Sequence, residues 1–480
     1  MKMKKILTAF FLAVMLLFSL SASAASLGPK IRVGLVVDQY SAELSSAGKI
    51  TVIDGRGKKV TLSPGRHFIS VKGGRFYADK KKLSGGNLSF VAQNASQPVL
   101  VNRKKYRGAL TAVMTREKKR LTIVNALPVE EYLYGVVAKE VIPLWPDEAI
   151  KAQAVAARSF ALYHLDHPQY EGFDIKATDQ GQVYGGIEAE HPNTTKLVKA
   201  TRGVTAVYDG EPIQAFFHST SGGYTEAAVN VWGKDIPYLQ AVKDDDKDSP
   251  NYSWTKSFTE AQLERTLKQG GYDIGKLQGI RLLPLGKAPM KWSSDRGTSG
   301  RVKRMTFKGS RRDVTLTGSQ VRSLLGLNST LFEVTIGTDE PDSIDVSIKN
   351  AYGYEVGRKK IPIDKKTRQG MGTKVGDLRL FAGVKDEKVF FVGGGWGHGV
   401  GLSQWGARGM ALEKSARREK DYYKTILRHY YRGIYLEERY CALRPWMNQR
   451  KKASSFCLSF LTVQPIPDTM EAGRNYFLPD

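Results

Sequence analysis

The chain has 480 residues and carries 73 Lys and Arg against 47 Asp and Glu, a formal charge of +26. Such an excess points to a polyanionic partner or a broadly basic surface, and it says nothing about which. Two cysteines, Cys441 and Cys457, both near the end, exclude a disulfide framework from the main body and leave open whether they pair in the tail. Seven scattered histidines and no Cys/His cluster of zinc spacing give no metal or cofactor site.

The first residues read as an export leader. A basic "MKMKK" precedes an apolar run from Ile6 to Leu20 and a small-residue "ASA" at 22–24. The run is short for a membrane span, which needs about 20 residues. A signal peptide over 1–24 is therefore expected, with an uncleaved anchor and membrane association as the alternative. An exported chain meets wall polymers and headgroups before nucleic acid, so no nucleic-acid partner is expected.

Residues 30–125 predict short strands: "IRVGLVV", "KITVID", "HFISV", "RFYAD", "LSFVA" and "LTIVN" are β-branched and aromatic, with Gly, Asn and Ser between them. Pro128 then sits where a helix begins, and the spacing predicts a helix from Val129 to Val141, closed by Pro143. Pro146 opens a second helix, with Asp147 and Glu148 in its first turn, running to about His164. Short strands and loops follow over 173–242, a helix over 258–271, further strands over 278–392 and helical residues over 409–431. Interspersed helices among dominant strands predict an α+β fold.

In the first helix, Val129, Leu133, Val136, Val137 and Glu140 share one face, which sets an acid on the apolar stripe. Glu140 also lies in the last turn, where the helix dipole disfavours negative charge. Both effects raise a carboxyl pKa toward neutrality, the condition for a proton donor. An acid at the edge of the stripe, paired with Lys139 or a distant Arg, is the plain alternative. Glu130 and Glu131 fall off the stripe and are expected in solvent. The second helix is alanine-rich and therefore expected to be buried; its Gln153 and Arg158 then need partners in the protein or in a substrate.

The stretch "HSTSGG" supplies His218, Ser219, Thr220 and Ser221 beside a flexible turn, without the Gly-x-Ser-x-Gly elbow of a hydrolase. Hydroxyl bonding to the backbone is its plain reading. "GGGWGHGVGLSQWG" at 393–406 has seven glycines in fourteen residues, but neither dinucleotide spacing nor Gly-Lys-Ser/Thr. Permissive backbone beside Trp396 and Trp405 suits a sugar, whose hydroxyls His398, Ser403 or Gln404 would bond. A tight turn packed on its own tryptophans competes with that reading.

Several stretches in fixed order, "LPVEEYLYGVVAKEV" (127–141), "EAIKAQAVAARSFAL" (148–162), "FFHSTSGGYTE" (216–226), "VWG" (231–233), "SGRVKRMTF" (299–307), "LLGLNSTLF" (324–332) and "GWGHGVGLSQWGARGMA" (395–411), resemble the stage II sporulation protein D family, which includes the amidase enhancers. The resemblance spans 100–435. It leaves 25–99 as a strand-rich N-terminal region and 436–480 as a basic extension. It implies a lytic transglycosylase that cuts peptidoglycan glycan strands lacking stem peptides, with Glu140, after "GVVA", as the catalytic acid. It also implies a groove lined by the residues named above. Some family members bind zinc through a His and Cys set near "ATDQGQVYGG", but residues 165–190 here hold no cysteine. A non-catalytic enhancer of an N-acetylmuramoyl-L-alanine amidase is the competing expectation.

Overall fold

In the computed structural model the described residues are 27–439, apart from 84–85, 116, 118, 292, 339–342, 350–354, 363–372, 382, 384–385 and 414–418. The expected leader, Cys441, Cys457 and nearly all of the basic extension lie outside the described residues.

Thirteen strands build the first part: β1 (Lys30–Gln39), β2 (Ser41–Ser46), β3 (Ile50–Asp54), β4 (Lys59–Leu62), β5 (Gly65–Lys72), β6 (Arg75–Ala78), β7 (Lys81–Lys82), β8 (Leu88–Ala92), β9 (Leu100–Val101), β10 (Lys104–Lys105), β11 (Ala109–Met114), β12 (Leu121–Pro128) and β13 (Ile175–Lys176). They form a seven-stranded sheet, β13-β1-β12-β11-β8-β3-β4, and a six-stranded sheet, β10-β9-β2-β5-β6-β7. Alternation along most of the strands explains why the sheets stack: Ile50, Val52, Leu88, Phe90, Leu110 and Ile123 of one pack with Leu44, Ile69, Val71 and Phe76 of the other. Strands from both sides of residue 100 share these sheets, so the sheets run through the expected boundary there.

Where β12 ends at Pro128, helix α1 (Val129–Glu140) begins, its first residue bonded through N–H to the Pro29 carbonyl. Helix α2 (Asp147–Asp166) follows, with Ala149, Ala152, Ala154, Ala156, Ala157 and Ala161 buried around its circumference. Small side chains on every face let neighbours approach from all sides, which places α2 at the centre of the helical part. Helices α3 (Pro192–Ala200), α4 (Ala228–Trp232), α5 (Glu260–Gln269), α6 (Gly318–Leu325), α7 (Gln404–Leu412) and α8 (Tyr423–Tyr430) complete the described helices. The fold is α+β.

A second apolar cluster holds the later part together. Ser253–Thr259 and Phe332–Gly337 flank Lys388–Gly394 in a three-stranded sheet. Phe332, Val334, Val389 and Phe391 of that sheet pack with Leu263, Leu267, Phe307, Val321 and Leu325. The helix expected over 258–271 is α5, shortened because Ser253–Thr259 is a strand and Thr259 caps the helix. The helical residues expected over 409–431 fall in two helices, the first starting earlier, at Gln404. Helices α3 and α6 fall where only strands and loops were expected. Both carried legible starts: Pro192 in the first turn of α3, and a Thr317/Gln320 capping box on α6.

Candidate active site

The site begins with the way α1 ends. Val141 takes an extended conformation and Pro143 follows, so the helix stops with Glu140 as its last residue. Segment 182–185 is held alongside: Tyr132 donates to Gln182 Oε1 at 3.1 Å, Tyr184 to Asn125 Oδ1 at 3.2 Å, and the Gly185 N–H to the Gly135 carbonyl at 3.1 Å. Gly135 permits this approach, since a Cβ there would come within 2.7 Å of the Tyr184 ring. The Val183 N–H is thereby brought to the Glu140 carboxylate.

The other side of the carboxyl comes from the glycine-rich stretch. Residues Phe217–His218 pair in parallel with Leu402–Ser403, and Thr220 bridges Trp396, which clamps the two sequence motifs together. Ser403 then caps α7 by accepting the Gly406 N–H at 3.2 Å, and the next side chain, Gln404, donates from Nε2 to Glu140 Oε2 at 3.2 Å. Trp405 packs edge-on against Trp145 at 5.0 Å, and its backbone N–H donates to the Ser219 carbonyl at 3.1 Å. Ile142, Leu144 and Val183, near Glu140 in sequence or contact, are exposed and give the site an apolar rim. Burial pushes the Glu140 carboxyl above the ordinary carboxylate range; the Gln404 and Val183 donors and the Lys139 charge pull the other way and do not cancel it. A half-buried carboxyl with a raised pKa and a neutral amide neighbour can hold, deliver and recover a proton.

Several expected site residues do other work. Glu130, expected in solvent, is fully buried: Arg158 Nε and Nη2 donate to its two oxygens at 2.7 and 2.9 Å. Arg158 is itself fully buried and also donates to the Val204 and Val198 carbonyls, so it fastens α1 and α2 to their neighbours instead of facing substrate. Thr220 and Ser221 are likewise fully buried. The Thr220 hydroxyl meets that of Ser249 at 2.7 Å, while Ser221 Oγ accepts the Gly223 N–H and its amide donates to Asp246. The half-buried Ser219 hydroxyl meets that of Thr220 at 3.1 Å. Ser403 is fully buried as the helix cap.

His398 is also internal in its bonding. Its Nδ1 accepts the Val400 N–H at 3.0 Å, so in the neutral ring the proton is on Nε2. Burial, together with the Arg301 and Arg322 charges, pushes its pKa down to about 3, so the ring stays neutral and its Nδ1 is taken by the loop's own backbone. His218, packed 5.5 Å from it, donates through Nδ1 to the Val400 carbonyl at 3.1 Å and is held neutral by burial. Trp396 remains 45% exposed and Trp405 is half-buried. Gln153 is buried, and neither amide atom has a protein partner. Among the described residues no three His, Cys, Asp or Glu come together as metal ligands.

Sequence reasoning did not single out Arg301. It lies buried beneath the glycine-rich loop and donates to the Ser221 and Gly397 carbonyls at 2.8 and 3.3 Å. Gly399 has φ of +82°, and a Cβ there would meet Arg301 Nε at 2.1 Å. Gly399→Ala is expected to cost at least about 2 kcal/mol through left-handed strain and the displaced guanidinium. A melting curve checks this; an unchanged transition would remove Arg301 as the loop's support.

The site thus sets a carboxyl of raised pKa at a helix end, beside a tryptophan-bearing loop in an α+β scaffold, an arrangement that can carry acid-base chemistry. The profile of the stage II sporulation protein family matches residues 117–208, which contain α1, α2 and Glu140. An uncharacterized protein of Brachyspira hyodysenteriae is 30% identical over 335 residues, covering 70% of this chain and 73% of its own. Stage II sporulation protein D of Bacillus subtilis is 29% identical over 346 residues, 68% of this chain and 79% of its own. The amidase enhancer of Bacillus subtilis is 28% identical over 391 residues, 78% of this chain and 50% of its own, so the alignment spans half of that relative. The chain belongs to the stage II sporulation protein D family.

Proposed function

We propose that the protein is a peptidoglycan lytic transglycosylase that remodels the cell wall, in sporulation as its relatives' names indicate, and that Glu140 is its single acid-base residue. The observation that carries this reading is the Glu140 carboxyl itself, raised by burial above the ordinary carboxylate range and oriented by Gln404. Protonated Glu140 donates to the oxygen linking N-acetylmuramic acid C1 to N-acetylglucosamine as that bond breaks. The carboxylate then takes the proton of the muramic C6 hydroxyl while O6 bonds to C1, which closes a 1,6-anhydro ring and restores the acid. No water is consumed. An internal nucleophile also explains how one carboxyl suffices where ordinary glycosidases use two.

The substrate in this reading is glycan whose stem peptides have been removed, with Trp396 and Trp405 placed to stack on pyranose faces. The chain would act after export, in the wall or on the outer face of the membrane, with residues 1–24 as cleaved leader or retained anchor. Incubating the protein with glycan strands, with and without stem peptides, tests the reading by mass spectrometry of the ends. Anhydro-muramic ends on the bare strands are expected; their absence from both substrates would end it.

The pH dependence gives a second check. Catalysis needs the protonated acid, so the rate falls as pH rises through the Glu140 pKa. Gln404 stabilises the carboxylate, and its removal raises that pKa. Gln404→Ala is therefore expected to move the alkaline limb of the rate profile to higher pH. A limb that moves to lower pH would show that Gln404 does not act on the ionised acid.

The alignment with the amidase enhancer favours a second reading, a wall-binding protein that stimulates an N-acetylmuramoyl-L-alanine amidase. Stimulation of an added amidase that survives Glu140→Gln, with no anhydro product from the native protein, would select it.

A further inference from the structure

More than half of the chain's net positive charge belongs to its first described part. Residues 27–128 hold twenty Lys and Arg against five Asp and Glu, +15 of the chain's +26. The six-stranded sheet shows how part of this charge is arranged. On β5, His67, Ile69 and Val71 point into the core, so Arg66, Phe68, Ser70 and Lys72 face solvent.

Antiparallel partners directly opposite share a face, and here Lys72 lies opposite Arg75, Ser70 opposite Tyr77, and Tyr77 opposite Lys82. The result is a continuous outer face carrying Arg66, Lys72, Arg75 and Lys82 around Phe68 and Tyr77. The acid opposite Phe68 is Glu43, and it is already shared by Arg66 and Arg103 at 3.6 and 3.8 Å. Among the described residues no acid lies within ion-pair reach of Lys72, Arg75 or Lys82.

Like charges directly opposite across a strand pair destabilise a sheet, so the Lys72–Arg75 pair is a local cost that a bound anion would relieve. Arg presents a planar fork suited to phosphate oxygens, and Lys adds point charge. Phe68 and Tyr77 are set in the pleated strands and not on a loop tip that could enter a bilayer, which suits a chain lying along the face. We propose that the outer face of the six-stranded sheet is a binding surface for a linear phosphodiester polymer of the cell wall, which holds the protein at its substrate. The choice of a wall polymer over nucleic acid rests on the export reading above; the basic face itself does not depend on catalysis by Glu140.

The test uses the whole chain, purified poly(glycerol phosphate), phosphatidylglycerol vesicles and duplex DNA at matched salt. The polymer is expected to bind most tightly, with an affinity that falls steeply as salt rises, because binding releases counterions. Reversing Lys72, Arg75 and Lys82 to Glu should weaken polymer binding at least tenfold and flatten its salt dependence. All three side chains are exposed, so circular dichroism should not change. Reversing the exposed Arg265, Lys268 and Lys276 to Glu serves as a charge-matched control and should have little effect. Glu140→Gln should bind as the native protein does, which separates this surface from the catalytic reading. Equal losses in both triple variants, no loss in the first, or tighter binding to vesicles or DNA would overturn the proposal.

Discussion

Glu140→Gln is expected to reduce turnover of bare glycan strands by about 100- to 10,000-fold, the contribution of a positioned general acid. Glutamine keeps the shape and the polar contact but cannot deliver a proton to the glycosidic oxygen. The carboxyl is half-buried, accepts one side-chain hydrogen bond, from Gln404, and pays for its place with a raised pKa, so losing its charge should leave the melting temperature close to that of the native protein. Activity and stability then separate. A variant that loses both together would make Glu140 a structural acid.

The opposite pattern is expected ten residues earlier on the same helix. Glu130→Ala strands the Arg158 guanidinium in a fully buried place, where its partner at 2.7 and 2.9 Å is gone and only carbonyls remain. Breaking such a pair costs about 3–5 kcal/mol, because an uncompensated charge stays buried. Denaturant unfolding measures the loss. Replacing both residues by apolar ones, Glu130→Leu with Arg158→Met, should recover much of it, since the pair as a whole gains little over packing of similar volume. A double variant as unstable as Glu130→Ala would mean that the carbonyl contacts of Arg158, and not the trapped charge, set the cost.

These two glutamates show what could be read from the sequence and what could not. The bounds of α1 and α2 were legible because prolines mark them, and Glu140 because its position on an apolar stripe is local information. Glu130 was misread because its partner is 28 residues away on another helix, and no local pattern carries that pairing. The strands of the first part were legible from their β-branched and aromatic residues and the turn residues between them, although the assignment of faces to two stacked sheets needed the pairing itself.

The glycine-rich stretch was legible as a site wall only in part. Gln404 does reach Glu140, but His398 spends its Nδ1 on the Val400 N–H, and the Thr220 and Ser221 hydroxyls are bonded to neighbours. Polar residue types beside glycines look the same in sequence whether they serve a ligand or a loop. The tertiary neighbour decides, and here that neighbour is Arg301 under Gly399, nearly a hundred residues away in the chain.

Closure of an anhydro ring by one carboxyl without water is tested by the mass of the new end formed in oxygen-18 water. Bare glycan strands cut by the native protein should give muramic ends one water lighter than a hydrolysed end and free of the label. Ends that carry the heavy oxygen would mean hydrolysis, and would contradict the account at its centre.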